Sequence, residues 1–215
     1  MELVTRRLRL RDFVEADAPA FVAYHADPRS AEFYAPGEAA PGSARQLLDV
    51  FRGWAIEQPR RNYQLAITLL PPQPAPRDLP SDDAHARAQA SASSGESGES
   101  VERVIGAIGL RGEGLVAHHA EFGLELAPAA WGQGYAAEAA RAFLTFGFRD
   151  LDLTDVVGVS VSANLRVARL VRGLGFVQSG TRPGAGWMQG HGWHHVEWWL
   201  TRQAWADAGH DLSAP

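Results

Sequence analysis

Cysteine is missing from all 215 residues. Its absence excludes disulfides, a catalytic thiol, any cysteine-ligated metal and any mechanism that stores an acyl group on a protein sulfur. An excess of positive charge is missing too. The formal net charge is −5, so composition offers no nucleic-acid-binding surface. The densest basic run, Arg6, Arg7, Arg9 and Arg11, is interrupted by Leu8 and Leu10. On a strand Arg7, Arg9 and Arg11 share one face, which is expected to be solvated. No apolar run approaches the roughly 18 residues needed to cross a membrane, and the N-terminus enters charged strand sequence with no apolar signal region. These features predict a cytoplasmic chain with no membrane or nucleic-acid partner. His118-His119 and the group His191, His194, His195 invite a metal reading, but their spacing matches no zinc motif, and no metal is expected.

What is present describes a globular protein. Hydrophobic residues make up 46% and charged residues 21% of the chain, ordinary values for a folded domain. The length suits one domain over residues 1–215 with a substantial core. Residues 71–100 differ in kind. Pro, Ala, Ser, Asp and Gly dominate, too little apolar surface to offset ordering entropy, so a disordered insertion within that domain is expected.

Periodicity places the remaining elements. Leu8 to Phe13 alternates as a strand, and Asp17 is placed to cap a helix carrying Pro19, Phe21, Val22 and Tyr24. The loop from Ser30 to Gly42 carries Phe33 and Tyr34. Ser43 and Gln46 fit a capping box that opens a helix with Leu47, Val50, Phe51 and Trp54 on its apolar side. Strands follow at 63–69, 101–110 and 117–126. In the last of these Phe122, Leu124 and Leu126 share one face, with Glu121, Gly123 and Glu125 on the other. A helix over 136–151, a β-branched strand over 156–162, a helix opened by Asn164, a strand from Phe176, a glycine-rich loop over 181–192, a strand over 196–200 and a short helix complete the order. This is mixed α/β, with hairpins early and a β-α-β-α-β unit late.

Residues 124–139, LELAPAAWGQGYAAEA, join a strand to a helix through Gly132 and Gly134. Such a loop turns backbone N–H groups toward one point, and the helix N-terminus adds partial positive charge, so it suits a phosphate or pyrophosphate. No Lys-Ser/Thr follows the glycines, which excludes a Walker loop, and the third glycine of a dinucleotide fingerprint is absent.

Trp131-Gly132-Gln133-Gly134-Tyr135-Ala136 followed by Glu138-Ala139 resembles the acetyl-CoA loop of the GNAT superfamily of N-acetyltransferases, in particular its RimJ/RimL branch, which acetylates ribosomal-protein N-termini. Ala163-Asn164, Arg169 and Leu174-Gly175-Phe176 are similar to the family's second block, and Thr5 to Arg11 to its first strand. The resemblance implies a single GNAT-type domain, a mixed, mostly antiparallel sheet with splayed central strands and flanking helices. It implies acetyl-CoA as co-substrate. The pyrophosphate would lie on the loop from Trp131 through Gly132, Gln133, Gly134, Tyr135 and Ala136. The pantetheine would meet the strand backbone near Leu124 and Leu126, and Asn164 would cap its helix or bond the pantetheine.

The family's direct attack in a ternary complex needs a base for the amine proton and a donor for the oxyanion, the latter expected from a backbone N–H near Leu124. Glu121 and Glu125 are candidate bases, and Glu121 is preferred because it precedes Gly123 by two places, as in that branch. Phe33, Tyr34, Trp187, Trp193, Trp198 and Trp199 divide between core burial and an acceptor-side lining. Two positions depart from the family pattern. Val167 stands where a thiolate-protonating serine is usual, and His195 where an aspartate is. The expected activity is N-acetylation of a primary amine, on a protein N-terminus or a small molecule, by a monomer or homodimer. A CoA-binding module with little turnover, or an interaction protein that uses residues 71–100 as a tether, are the alternatives.

Overall fold

Alternating apolar residues build one eight-stranded sheet in the order β1-β2-β3-β4-β5-β6-β8-β7. The computed structural model describes residues 1–71, 102–112, 117–210 and 212. The strands are β1 (Glu2–Val4), β2 (Leu8–Asp12), β3 (Asn62–Leu69), β4 (Val104–Arg111), β5 (His119–Leu126), β6 (Asp155–Val161), β7 (Val177–Pro183) and β8 (His194–Thr201). The helices are α1 (Ala18–His25), α2 (Pro28–Ala31), α3 (Pro41–Ala55), α4 (Tyr135–Arg149), α5 (Leu165–Gly173), α6 (Gly186–Gln189) and α7 (Arg202–Asp207). Every neighbouring pair runs antiparallel except β5 and β6. The expected mixed, mostly antiparallel architecture is therefore observed. The insertion expected over 71–100 falls outside the described residues apart from Pro71.

Two apolar layers cover the sheet. On one face Leu8, Leu65 and Ile108 pack with Phe143, Leu144 and Phe148 of α4. On the other Ala66 and Ala107 pack with Phe21 of α1 and Leu48 and Phe51 of α3. Phe21 is the centre of the second layer, edge-on to Phe13, Tyr24 and Phe51 at centroid distances of 5.4, 5.3 and 5.9 Å.

Several local expectations need correction. α3 starts at Pro41, with Pro in its first turn, so Ser43 does not cap it; its hydroxyl donates to the Gly37 carbonyl instead. The packed stripe is Ala44, Leu48 and Phe51, while Leu47 and Val50 are 37% and 44% exposed. The two stripes share Phe51 and differ by a small rotation, which packing against α1 and β3 decides. Asp17 makes no side-chain cap for α1; its carboxylate takes two bonds from Arg11 and one from the Val14 N–H. The region after Asp27 contains the short α2, capped by the Asp27 carboxylate. In the 181–192 segment β7 continues to Pro183 and α6 follows.

The arginine face of β2 is not simply solvated. Arg7 pairs with Glu138, Arg9 with Glu102, and Arg11 with Asp17, at 2.7, 2.6 and 2.8 Å. Carboxylates from two distant segments, at Glu102 and Glu138, and a nearby one at Asp17 converge on it. Because α1 reaches the sheet mainly through Phe21, replacing Phe21 with Ala should cost about 3–5 kcal/mol, read as a lower urea midpoint with an unchanged slope.

Candidate active site

The parallel pair β5 and β6 is joined only at His119–Asp155, Ala120–Val156 and Glu121–Val157. Beyond Glu121 the strands part. Each keeps its outer neighbour: β5 remains paired with β4 to Leu126, and β6 with β8 to Val161. The Ala127 N–H donates to the Ile105 carbonyl at 2.8 Å. In an antiparallel ladder bonded residues alternate, so odd residues of β5 bond to β4. The Phe122 N–H closes the last bridge to β6, and beyond it the N–H and C=O groups of Leu124 and Leu126 face the gap. At Leu124 both groups are open to the gap. At Leu126 the carbonyl is already engaged, because the Trp131 indole donates to it at 2.8 Å; only its N–H remains for a ligand.

The gap leads to the glycine loop. Gly132 and Gly134 have φ of +75° and +78°, values that non-glycine residues rarely adopt. Gly134 is the N-cap residue of α4, with no side-chain cap. Among the described residues the N–H groups from Gly132 through Gln133, Gly134, Tyr135 and Ala136 to Ala137 have no hydrogen-bond partner. Consecutive free donors at a helix N-terminus form a cradle for an anion.

Arg7 braces this loop. Its Nη1 donates to the Gln133 carbonyl at 3.0 Å, its Nε to Glu138 at 2.7 Å, and its guanidinium stacks on the Tyr135 ring at 4.5 Å. Glu138 also accepts from the Thr5 hydroxyl and the Arg7 N–H, at 2.7 and 2.8 Å. Partial burial alone would raise its carboxyl, but these bonds and the Arg7 charge hold it below its ordinary value. Glu138 therefore ties α4 to the start of β2, a structural role. Asn164 caps α5 by accepting from the Val167 N–H at 3.2 Å. Arg166 lies over the Trp131 ring at 4.1 Å and pairs with Glu32 at 3.5 Å.

A cavity of about 740 Å³ runs from this loop through the gap to the opposite face of the sheet. Leu124, Leu126, Trp131, Gly132, Gly134, Tyr135, Ala136 and Asn164 all line it, and so do Glu121 and Glu125. The two glutamates sit differently. Glu121 stands where the strands part, and its carboxylate accepts from Arg111 at 2.8 Å. Glu125 stands nearer the loop and accepts from the Tyr24 and Tyr34 hydroxyls at 3.0 and 2.6 Å. Burial, then the charge and hydrogen bond of Glu125, push both phenols well above their ordinary value. Both tyrosines thus hold their protons and donate.

Phe33 and Tyr34 line the cavity, and Trp193 packs on Phe33 at 5.5 Å. Trp198 lines the cavity, whereas Trp199 lies on the outer face, 40% exposed. Two contributions are absent from the sequence reading. Arg111 projects over Gly123, where a Cβ would meet its Nη2 at 2.9 Å; the cross-strand pairing of Arg111 with Glu121 was the only signal. Ser160 of β6 also lines the cavity.

A family model described as an acetyltransferase (GNAT) domain matches residues 7–177. The chain belongs to the GNAT acetyltransferase family. A fungal relative, the FsC-acetyl coenzyme A-N(2)-transacetylase of Aspergillus fumigatus, is 31% identical over 91 residues, 40% of this chain and 37% of that protein. The match thus spans well under half of that relative. Two solved structures share the GNAT fold. Spermidine N-acetyltransferase from Vibrio cholerae, in complex with CoA and spermine, has a TM-score of 0.67 at 15% identity, covering 94% of this chain and 99% of that one. Ribosomal-protein-S5-alanine acetyltransferase from Vibrio fischeri has a TM-score of 0.66 at 14% identity, covering 95% and 98%. The GNAT co-substrate is acetyl-CoA, and the cradle of free N–H groups beside a long gap suits a pyrophosphate with an extended arm.

Two metal-suggestive histidine groups are otherwise engaged. His118 and His119 lie 3.6 and 3.4 Å from Asp152 and Asp155, and His191 stacks on Trp193 at 4.5 Å. Among the described residues no group of three or more His, Asp or Glu side chains is placed to hold a metal ion. Nor, among these, is any helix long and apolar enough to cross a membrane.

The depressed carboxyl of Glu138 makes a pH-dependent contribution. It is present above the unfolded value, about 4.3, and lost as pH falls through the lower folded value. Glu138→Ala should therefore cost about 1.5–3 kcal/mol at pH 7. The gap from the parent protein should narrow steadily in melts taken below about pH 4.

Proposed function

We propose that this chain moves the acetyl group of acetyl-CoA to a primary amine, on a protein N-terminus or a small molecule, by direct attack in a ternary complex. One observation carries the reading: the parted strands open a continuous path from an unpartnered N–H cradle to an aromatic and acidic pocket on the other face. The cradle suits the pyrophosphate, with Trp131, Gly132, Gln133, Gly134, Tyr135 and Ala136 around it. The gap-facing Leu124 carbonyl and the Leu126 N–H suit the pantetheine amides, and Asn164 closes that side. The loop residues Trp131 to Ala136 with Glu138-Ala139 favour the RimJ/RimL branch.

Glu121 is the proposed base, acting directly or through water. The cavity places it where the gap closes, so an arm threaded from the cradle ends near it. From Leu126 to Glu121 the strand advances about 3.3 Å per residue, a span suited to an extended arm. Arg111 holds the carboxylate in place. The Leu124 N–H, free on the gap side, is the proposed oxyanion donor. Residues 71–100 are proposed as an insertion within one domain: Thr68 and Val104 pair across it, so its ends are held together, and a longer loop there costs little.

Acetyl-CoA at 100 times its dissociation constant should stabilise the chain by about 2.7 kcal/mol. Gly134→Val, which forces a branched residue into positive φ, should remove that shift in a melt. An amine panel with thiol detection then tests turnover. On the best amine, Glu121→Gln should lower kcat by about 10²–10⁴ with the acetyl-CoA shift retained. Stabilisation with no thiol release from any amine would favour a CoA-binding module instead.

A further inference from the structure

The gap is apolar where a thioester sulfur would lie. Phe122, Leu124, Val167, Leu170, Val171 and Phe176 all line it. A thiolate released there would be a desolvated charge, which is costly without a donor. A serine hydroxyl stands beside these side chains. Ser160 lines the cavity and is 8% exposed. Its Oγ accepts a hydrogen bond from the Trp198 indole at 2.9 Å. Among the described residues the only side-chain hydrogen bond of Ser160 is this one, which it accepts. A serine oxygen that is already an acceptor keeps one donor to place, and the cavity is open to it.

Its height in the gap is fixed by the sheet. The last joined pair is Glu121–Val157. Continuing that parallel register by three residues sets Ser160 level with Leu124, whose free N–H faces the same space. Ser160 thus opposes Leu124 across the gap, on the side away from the acceptor pocket.

We propose that Ser160 donates the hydrogen bond that stabilises the thiolate as it leaves acetyl-CoA. The inference rests on the acetyltransferase reading. The amine lone pair forms the C–N bond, and the C–S bond breaks with its electron pair passing to sulfur. The surplus amine proton leaves through Glu121 or water, and the released sulfur later takes one proton from solvent, so the products are an amide and a thiol. A hydroxyl is a weaker acid than a thiol, whose pKa is about 8.5, so Ser160 keeps its proton and lends only its hydrogen bond. Trp198 fixes the hydroxyl oxygen, so the donor is positioned before the bond breaks.

The test titrates the thiol of CoA bound to the full chain, by its thiolate absorbance in the ultraviolet, against free CoA in the same buffer. In the parent protein two effects oppose, burial raising the thiol pKa and the Ser160 hydrogen bond lowering it. Ser160→Ala should move it up by about one unit, and Ser160→Thr, which keeps a hydroxyl on a strand that favours β-branching, should leave it near the parent value. Equal values for the parent and Ser160→Ala, both saturated with CoA, would overturn the proposal. Should Ser160→Ala not fold, Ser160→Gly takes its place, and a value equal to the parent's again overturns the proposal. Absence of any CoA-dependent rise in melting temperature in the parent protein would instead overturn the acetyltransferase reading beneath it.

Discussion

β5 and β6 are joined at three positions and then separate, and the site exists because they do. Each strand satisfies its outer edge against an antiparallel neighbour, so the sheet remains one body while its middle opens. The backbone groups left facing the gap would be costly if buried without partners. The Trp131 indole satisfies one of them at Leu126. The others, at Leu124 and along the glycine loop, are donors and acceptors that a ligand can complete. The same parting opens the cavity through both faces of the sheet.

The open middle requires rigid surroundings. Arg7 and Glu138 supply them on the loop side, joining the first residues of α4 to the start of β2 through four hydrogen bonds at 2.7–2.8 Å and 3.0 Å. On the acceptor side Tyr24 and Tyr34 hold α1 and the segment after α2 against Glu125. Both clamps use a carboxylate of the strand–loop–helix unit. The loop is thereby organised before any ligand arrives, which reduces the ordering cost of binding.

The local features of this site were legible in the sequence. Gly132 and Gly134 announce positive φ, and Asn164 announces a helix cap, because the physics of each lies within a few residues. The alternation of Phe122, Leu124 and Leu126 assigned the strand faces correctly. Features made by distant partners were not legible. Strand periodicity places Arg7, Arg9 and Arg11 together but says nothing of Glu138, Glu102 and Asp17 arriving from elsewhere. The stripe of α3 was misplaced because Leu47 and Leu48 are equally apolar, and only packing chooses between them. Ser160 looked like one polar residue in a β-branched strand; its meaning depends on Trp198, 38 positions away. The Trp131 bond to Leu126 likewise depends on how the loop turns back.

The central claim is that the free N–H groups from Gly132 to Ala137, with that of Leu124, receive acetyl-CoA. Amide hydrogen exchange, resolved by residue with and without saturating acetyl-CoA, tests it most directly. The account predicts slower exchange at these amides on adding acetyl-CoA, while the core strand β3 changes little. Unchanged exchange in the loop and at Leu124 under saturating acetyl-CoA would contradict it.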